Sequence, residues 1–112
     1  MAKYTIFHNP RCTKSRNALK LLEAEGSSFT VREYLDEALS QKEIKELLAN
    51  GDFEIKELVR SKEAKEAGVD TKASEAELIK AIANHPKIMQ RPVVTKGKKS
   101  TIARDDDWFS RI

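Results

Sequence analysis

One cysteine, two histidines and two acid-free basic stretches carry most of the chemical potential of this 112-residue sequence. The cysteine, Cys12, stands among Arg11, Lys14 and Arg16, and no acidic residue occurs before Glu23. A lone thiol can form neither an intramolecular disulfide nor a Cys-x-x-Cys redox pair, and it cannot build a cysteine zinc cluster. His8 and His85 are far apart and sit in different patterns, so no metal site is expected. What is left to Cys12 is the chemistry of a single nucleophilic thiolate. Its place in the chain suits that role, because it lies just before an expected helix. Unpaired backbone N–H groups and the positive end of the helix dipole favour an anion there, and the nearby basic side chains add to the effect. A lowered pKa is therefore expected for Cys12. The alternative is a small buried side chain, the usual role of a free cysteine, but a polar, basic turn is a poor setting for one.

The same helix start is a potential anion site, where converging N–H groups can hold an oxyanion beside the thiolate. The phosphatase loop, C-x5-R, would serve this purpose, but the arginine that follows Cys12 is Arg16, giving C-x3-R. Ser15 occupies the place of the second cysteine of a dithiol enzyme, so the motif is C-x-x-S. Any resolving thiol must come from outside, most simply from glutathione. Ser15 either donates a hydrogen bond to the thiolate or caps the first helical turn. His8, four residues upstream, is either a tuning group for the thiolate or a structural residue.

The total charge of +3 hides a strong segregation. Residues 1–22 carry five basic side chains and no acid, residues 23–86 carry fifteen acids against nine bases, and residues 87–104 carry six bases and no acid. Two cationic segments thus bracket an acidic middle, which suits a small anionic partner. Nucleic acid is not expected, because no aromatic residues interleave the basic ones and no reader motif is present. No apolar run approaches the ~20 residues of a membrane span, and the N-terminus lacks the apolar stretch of a signal peptide. A cytoplasmic protein is expected, and a monomer, since no long exposed apolar stripe is left over.

Positioning these residues requires the elements around them. Tyr4–Phe7 is a short β-prone run stopped by His8-Asn9-Pro10. Ser15, Ala18, Leu19, Leu22 and Gly26 then fall at helical spacing, ending on a glycine stop signal. Residues 29–34 read as a second strand of aromatic and β-branched residues with polar ones between. Two capping-box patterns, Ser40-x-x-Glu43 and Ser74-x-x-Glu77, open helices. Between them, residues 53–59 and 62–68 suggest one or two short helices, and Asn84-His85-Pro86 ends the last of the helices. Two β-prone runs, 92–95 and 100–103, flank a hairpin turn at 96–99. Asp105-Asp106-Asp107 starts a terminal helical turn, with acids at its positive end. The order is β-α-β, a helical insertion, then β-β-α, with no linker or repeat dividing the chain. A single α/β domain over residues 1–112 is expected, with the element order of thioredoxin-like proteins.

The run from His8 to Asn17, His-Asn-Pro-Arg-Cys-Thr-Lys-Ser-Arg-Asn, resembles the N-terminal signature of the ArsC family, the glutaredoxin-coupled arsenate reductases and their relatives. The resemblance continues at Glu57-Leu58-Val59-Arg60, at Leu78-Ile79, through His85 to Val94 with its Arg91-Pro92-Val93-Val94, and at Arg104. It implies a thioredoxin-like fold with a helical insertion, Cys12 as nucleophile, and Arg60, Arg91 and Arg104 around a bound oxyanion. It also implies that Pro92 is a cis-proline packed against the active-site turn. Several fixed guanidinium groups suit a thiolate attacking a highly charged arsenate, because they suppress repulsion and stabilise charge on the oxygens. The implied reaction needs no bound cofactor and no metal, with glutathione as co-substrate and glutaredoxin as partner. For Arg60 the residues alone favour surface pairing with Glu57 or Glu63.

The family usually reads Cys-Gly-Thr-Ser-Arg, where this chain has Thr13 and Lys14 in the middle. Loss of the glycine narrows the backbone approach to an anion. Two alternatives accompany arsenate reduction: a glutathione-dependent thiol or disulfide reductase of the same fold, and an Spx-like regulator associated with transcription. The relatives of the latter usually carry Cys-x-x-Cys, which Ser15 removes.

Overall fold

Four short strands form one mixed sheet in the computed structural model, which describes residues 3–26 and 28–112. β1 (Tyr4–Phe7) leads through the Cys12 turn into α1 (Thr13–Ala24) and on to β2 (Phe29–Arg32). The helical insertion follows as α2 (Gln41–Asn50), α3 (Ile55–Leu58), α4 (Ser61–Glu66) and α5 (Glu75–Asn84), then a 3-10 turn at Pro86–Ile88. β3 (Val93–Lys96) and β4 (Lys99–Ile102) form a hairpin, and a 3-10 turn at Trp108–Arg111 stands where the terminal helical turn is expected. The strand order is β2-β1-β3-β4, with β1 parallel to β2 and antiparallel to β3. This is the expected thioredoxin-like α/β arrangement with a helical insertion.

Local signals account for most boundaries. α1 stops where Gly26 takes a positive φ of 66° and its N–H reaches the Glu23 carbonyl at 3.1 Å, a left-handed position that glycine adopts without steric cost. Ser40 and Glu43 make both halves of a capping box, an arrangement whose loss typically costs about 1 kcal/mol. The Ser74 hydroxyl accepts from the Glu77 N–H at 3.3 Å. In the β3–β4 hairpin, Gly97 has φ 59° at the first central position of a two-residue turn, the place where tight hairpins need a positive φ.

Strand alternation divides the core between the two faces of the sheet. Tyr4, Ile6 and Val94 pack with Ala18 and Leu22 of α1, Ala103 and Trp108. Phe7 and Val93 face the other way, into the larger cluster built by Ile44, Leu47, Leu58, Leu78, Ile82 and their neighbours from the insertion. Fully burying each such side chain contributes roughly 1.5–3 kcal/mol. The insertion is tied to the edge strand by Arg32, whose guanidinium pairs with both carboxylate oxygens of Glu43 and also donates to the carbonyls of Glu37 and Ala38.

β2 ends at Arg32, two residues short of the expected strand. The chain turns at Glu33, whose carbonyl accepts from the N–H groups of Asp36 and Glu37, each at 3.0 Å. The turn sends Tyr34 off the sheet into the larger core, fully buried. No helix of the described residues is long and apolar enough to cross a membrane.

Candidate active site

Strand register decides which residues meet. Phe7 pairs with Arg32 on one side and with Val93 on the other, and Val93 pairs with Ile102. The segments beginning at His8, at Glu33, at Ala103 and backwards from Pro92 therefore leave the sheet at one end. This brings together the Cys12 turn, Tyr34, Arg91 with Pro92, and Arg104, which span nearly the whole sequence. The cavity between Thr5, Arg32, Glu43 and Ser100 is not lined by Cys12. Charge and hydrogen-bond donors define the thiol's setting.

The turn is held by its own polar groups. The Asn9 side-chain oxygen accepts from the Arg11 N–H at 3.0 Å, and the Asn9 carbonyl accepts from the Cys12 N–H at 3.0 Å. Cys12 is the N-cap of α1, with extended backbone and a half-buried side chain that forms no cap hydrogen bond. Desolvation pushes its pKa up. The Ser15 N–H, the Arg91 guanidinium, the Lys14 N–H and the Arg91 charge outweigh that push, so the thiol ionises below its ordinary value of 9.0. The helix start and a fixed cation both favour the thiolate.

Ser15 plays neither of its expected roles through its hydroxyl. Fully buried, its Oγ sits 2.7 Å from His8 Nδ1 and accepts from the Asn9 N–H at 3.0 Å, whereas it is the Ser15 backbone N–H that stabilises the thiolate. The side chain fastens the His8-Asn9 end of the turn to the first turn of the helix, and so sets where Cys12 stands. His8 is buried. Desolvation lowers its pKa below 6.5, opposed by the nearby Glu33 and assisted by Arg16, so the ring is neutral at pH 7.

This carries a pH signature. As pH falls through 6.5 the unfolded chain takes up the His8 proton before the folded one, so stability declines from there. The decline ends below the lower folded pKa, where both states are protonated. The expected result is a thermal midpoint that drops between pH 7 and pH 5, and a flatter profile in His8→Asn, whose amide can replace Nδ1 toward Ser15. Identical slopes in the two proteins would show that His8 is not the source.

The three arginines are not equivalent. Arg91 is the one beside the thiol, and its peptide bond to Pro92 is cis. Arg104 donates through Nη1 to the Arg91 carbonyl at 2.7 Å, and so braces the backbone that carries Arg91. Arg60 pairs with Glu63, Nε to Oε2 at 2.8 Å, and its Nη1 reaches Gln90 Oε1 at 3.5 Å. Its own N–H donates to the Ile88 carbonyl, while the Gln90 N–H donates to the Leu58 carbonyl, both at 2.7 Å. These bonds lock α3 and α4 to the segment that precedes Arg91. The Arg60 guanidinium holds the Glu63 carboxyl below the usual range, with a smaller contribution from Arg91. The pairing with Glu63 is one of the two that the residues alone suggest.

Sequence reasoning does not single out Tyr34 or the Asn9 side chain. Tyr34 follows a strand parallel to β1, so its end-of-strand place is the signal that could have marked it. Among the described residues no cluster of three or more His, Cys, Asp or Glu side chains is arranged to hold a metal ion.

A model of the ArsC family matches residues 7–112. The chain belongs to the ArsC family. A Streptomyces viridochromogenes protein named an uncharacterized protein in the glnII region is 44% identical to this ArsC-family chain over 96 residues, covering 80% of it and 81% of the relative. An arsenate reductase of Neisseria meningitidis serogroup A is 38% identical over 108 residues, 93% of this chain and 92% of its own. The solved structure of an arsenate reductase from Vibrio cholerae superposes with a TM-score of 0.86 at 30% identity, covering 99% of this chain and 98% of that one.

Proposed function

We propose that the protein is an arsenate reductase that draws its electrons from glutathione and is regenerated by glutaredoxin. The observation that carries this is the position of the only cysteine at the start of α1, with the Arg91 guanidinium against it, in a chain of the ArsC family. The relatives named arsenate reductase support it.

In this reading the N–H groups of Lys14 and Ser15 and the Arg91 guanidinium hold arsenate beside Sγ and spread its charge. The Cys12 thiolate attacks arsenic, an S–As bond forms, and one oxygen leaves as water after taking up protons. A glutathione thiolate then attacks the Cys12 sulfur. The S–As electron pair passes to arsenic, which goes from As(V) to As(III) and departs as arsenite, and Cys12 is left in a mixed disulfide with glutathione. Glutaredoxin removes the glutathione and restores the thiol. With Ser15 in the place of a second cysteine, no internal thiol competes for these steps.

The test is an assay of arsenate with glutathione and glutaredoxin, followed as NADPH oxidation through glutathione reductase. Arsenate-dependent turnover is expected. No turnover, combined with fast exchange of glutathione mixed disulfides, would instead support the thiol or disulfide reductase of the same fold.

A further inference from the structure

Two buried side-chain polar atoms among the described residues have no hydrogen-bond partner, and both belong to the site: the Tyr34 hydroxyl and Nε of Arg91. Tyr34 is fully buried, and Arg91, Cys12 and Asn9 each act on its ionisation, the Asn9 and Arg91 side chains lying near hydrogen-bonding reach of the phenol oxygen without completing a bond to it. In folded proteins nearly all buried polar atoms are paired, and an orphan marks a place where a ligand or water completes the set. Here two orphans stand together, and Arg91 Nε can only donate. A partner shared by both must be an acceptor beside a guanidinium, a place that suits an oxyanion.

We propose that Tyr34 donates a hydrogen bond to the oxyanion bound at Cys12, alongside Nε of Arg91, and so sets the affinity of the site. The role rests on the oxyanion chemistry proposed above for the same site. The fold gives the phenol its place: the Glu33 turn that ends β2 takes Tyr34 off the sheet at the same end from which the Cys12 turn leaves β1. Desolvation, opposed by Arg91, raises its pKa above the ordinary 10.0, so the phenol keeps its proton throughout the working range and remains a donor. A neutral donor adds to anion binding without adding charge that would have to be balanced in the empty site.

Tyr34→Phe separates this role from a structural one, because deleting an unpaired buried hydroxyl leaves stability unchanged or raises it. The measurement is the rate at which iodoacetamide alkylates Cys12 in the full chain, with arsenate or inorganic phosphate as protecting ligand. We expect protection of the parent and about 10- to 100-fold weaker protection of Tyr34→Phe, the range for a hydrogen bond to a charged group. The unprotected alkylation rate should change little and the thermal midpoint should be unchanged or higher. Equal protection of the two proteins would overturn the proposal and leave arsenate reduction standing. Protection by phosphate without arsenate turnover would remove the reductase reading, and the comparison of the two proteins would still decide the role of Tyr34. Absence of protection in the parent by either anion would overturn it as well. If Tyr34→Phe does not fold, the tyrosine ultraviolet difference spectrum of the parent on adding phosphate gives the answer. A perturbed tyrosine band is expected, and an unchanged one would refute the contact, since Tyr4 lies in the other core cluster.

Discussion

Cys12→Ser eliminates arsenate turnover, by at least about a thousandfold, while the protein stays folded. A serine hydroxyl ionises far above any pH at which the protein is stable. Neither the N–H groups of Lys14 and Ser15 nor the Arg91 guanidinium can bring it into the working range, and the sulfur that would carry a glutathione mixed disulfide in the proposed reaction is lost. Stability should not suffer. The Cys12 side chain is half-buried and forms no cap hydrogen bond, and its backbone already has the extended conformation of an N-cap. Serine is among the preferred residues there, so the thermal midpoint is expected to stay level or rise by about 2–4 °C, corresponding to roughly half a kcal/mol. The assay for the parent, a melting curve and the loss of iodoacetamide labelling check this together. Retained turnover in Cys12→Ser would place the chemistry elsewhere.

Arg91→Ala has the second largest effect, a fall in kcat/KM of about 10²- to 10³-fold, as for removal of a fixed donor from an oxyanion site. Two contributions combine. The variant loses the guanidinium that holds the anion, and the Cys12 pKa rises because desolvation is then opposed chiefly by the backbone N–H groups of Ser15 and Lys14. The pH profile of alkylation separates them: its midpoint lies below the ordinary thiol value in the parent and moves to higher pH in Arg91→Ala. Arg91→Lys restores the charge but not the planar fork or its Nε donor, so it should recover most of the pKa shift and only part of the affinity. If the alkylation midpoint is the same in all three proteins, the thiolate owes its stability to the helix start alone. Because the Arg91 carbonyl, not its side chain, accepts from Arg104, that brace survives both substitutions.

Arg60 and Arg104 are expected to matter less directly. Arg104 acts through the backbone of Arg91, and Arg60 is engaged by Glu63 and Gln90. The three arginines of the family pattern thus divide into one that stands at the sulfur and two that fix the segment carrying it.

Rules that act within one turn of chain recover much of the molecule. The β-prone run at Tyr4–Phe7, the helical stripe ending at Gly26, the Ser40 capping box and the Gly97 hairpin each depend on residues a few positions apart, and each occurs where those residues place it. The reactivity of Cys12 is legible for the same reason, since a helix start and its N–H groups are local. Side-chain partners set by register are not. By its place in the motif Ser15 either serves the thiolate or caps the helix, but the return of the His8-Asn9 segment over α1 gives its hydroxyl other partners. Tyr34 reads as the last residue of a strand until the Glu33 turn removes it.

From its residues alone this protein has one thiol poised at a helix start, segregated basic segments and an α/β element order, because propensity, capping and charge are short-range properties. Only the tertiary structure decides which cation reaches the sulfur and which buried donors face it. That choice depends on Phe7 aligning with both Arg32 and Val93, pairings between residues 25 and 86 positions apart that no local pattern encodes.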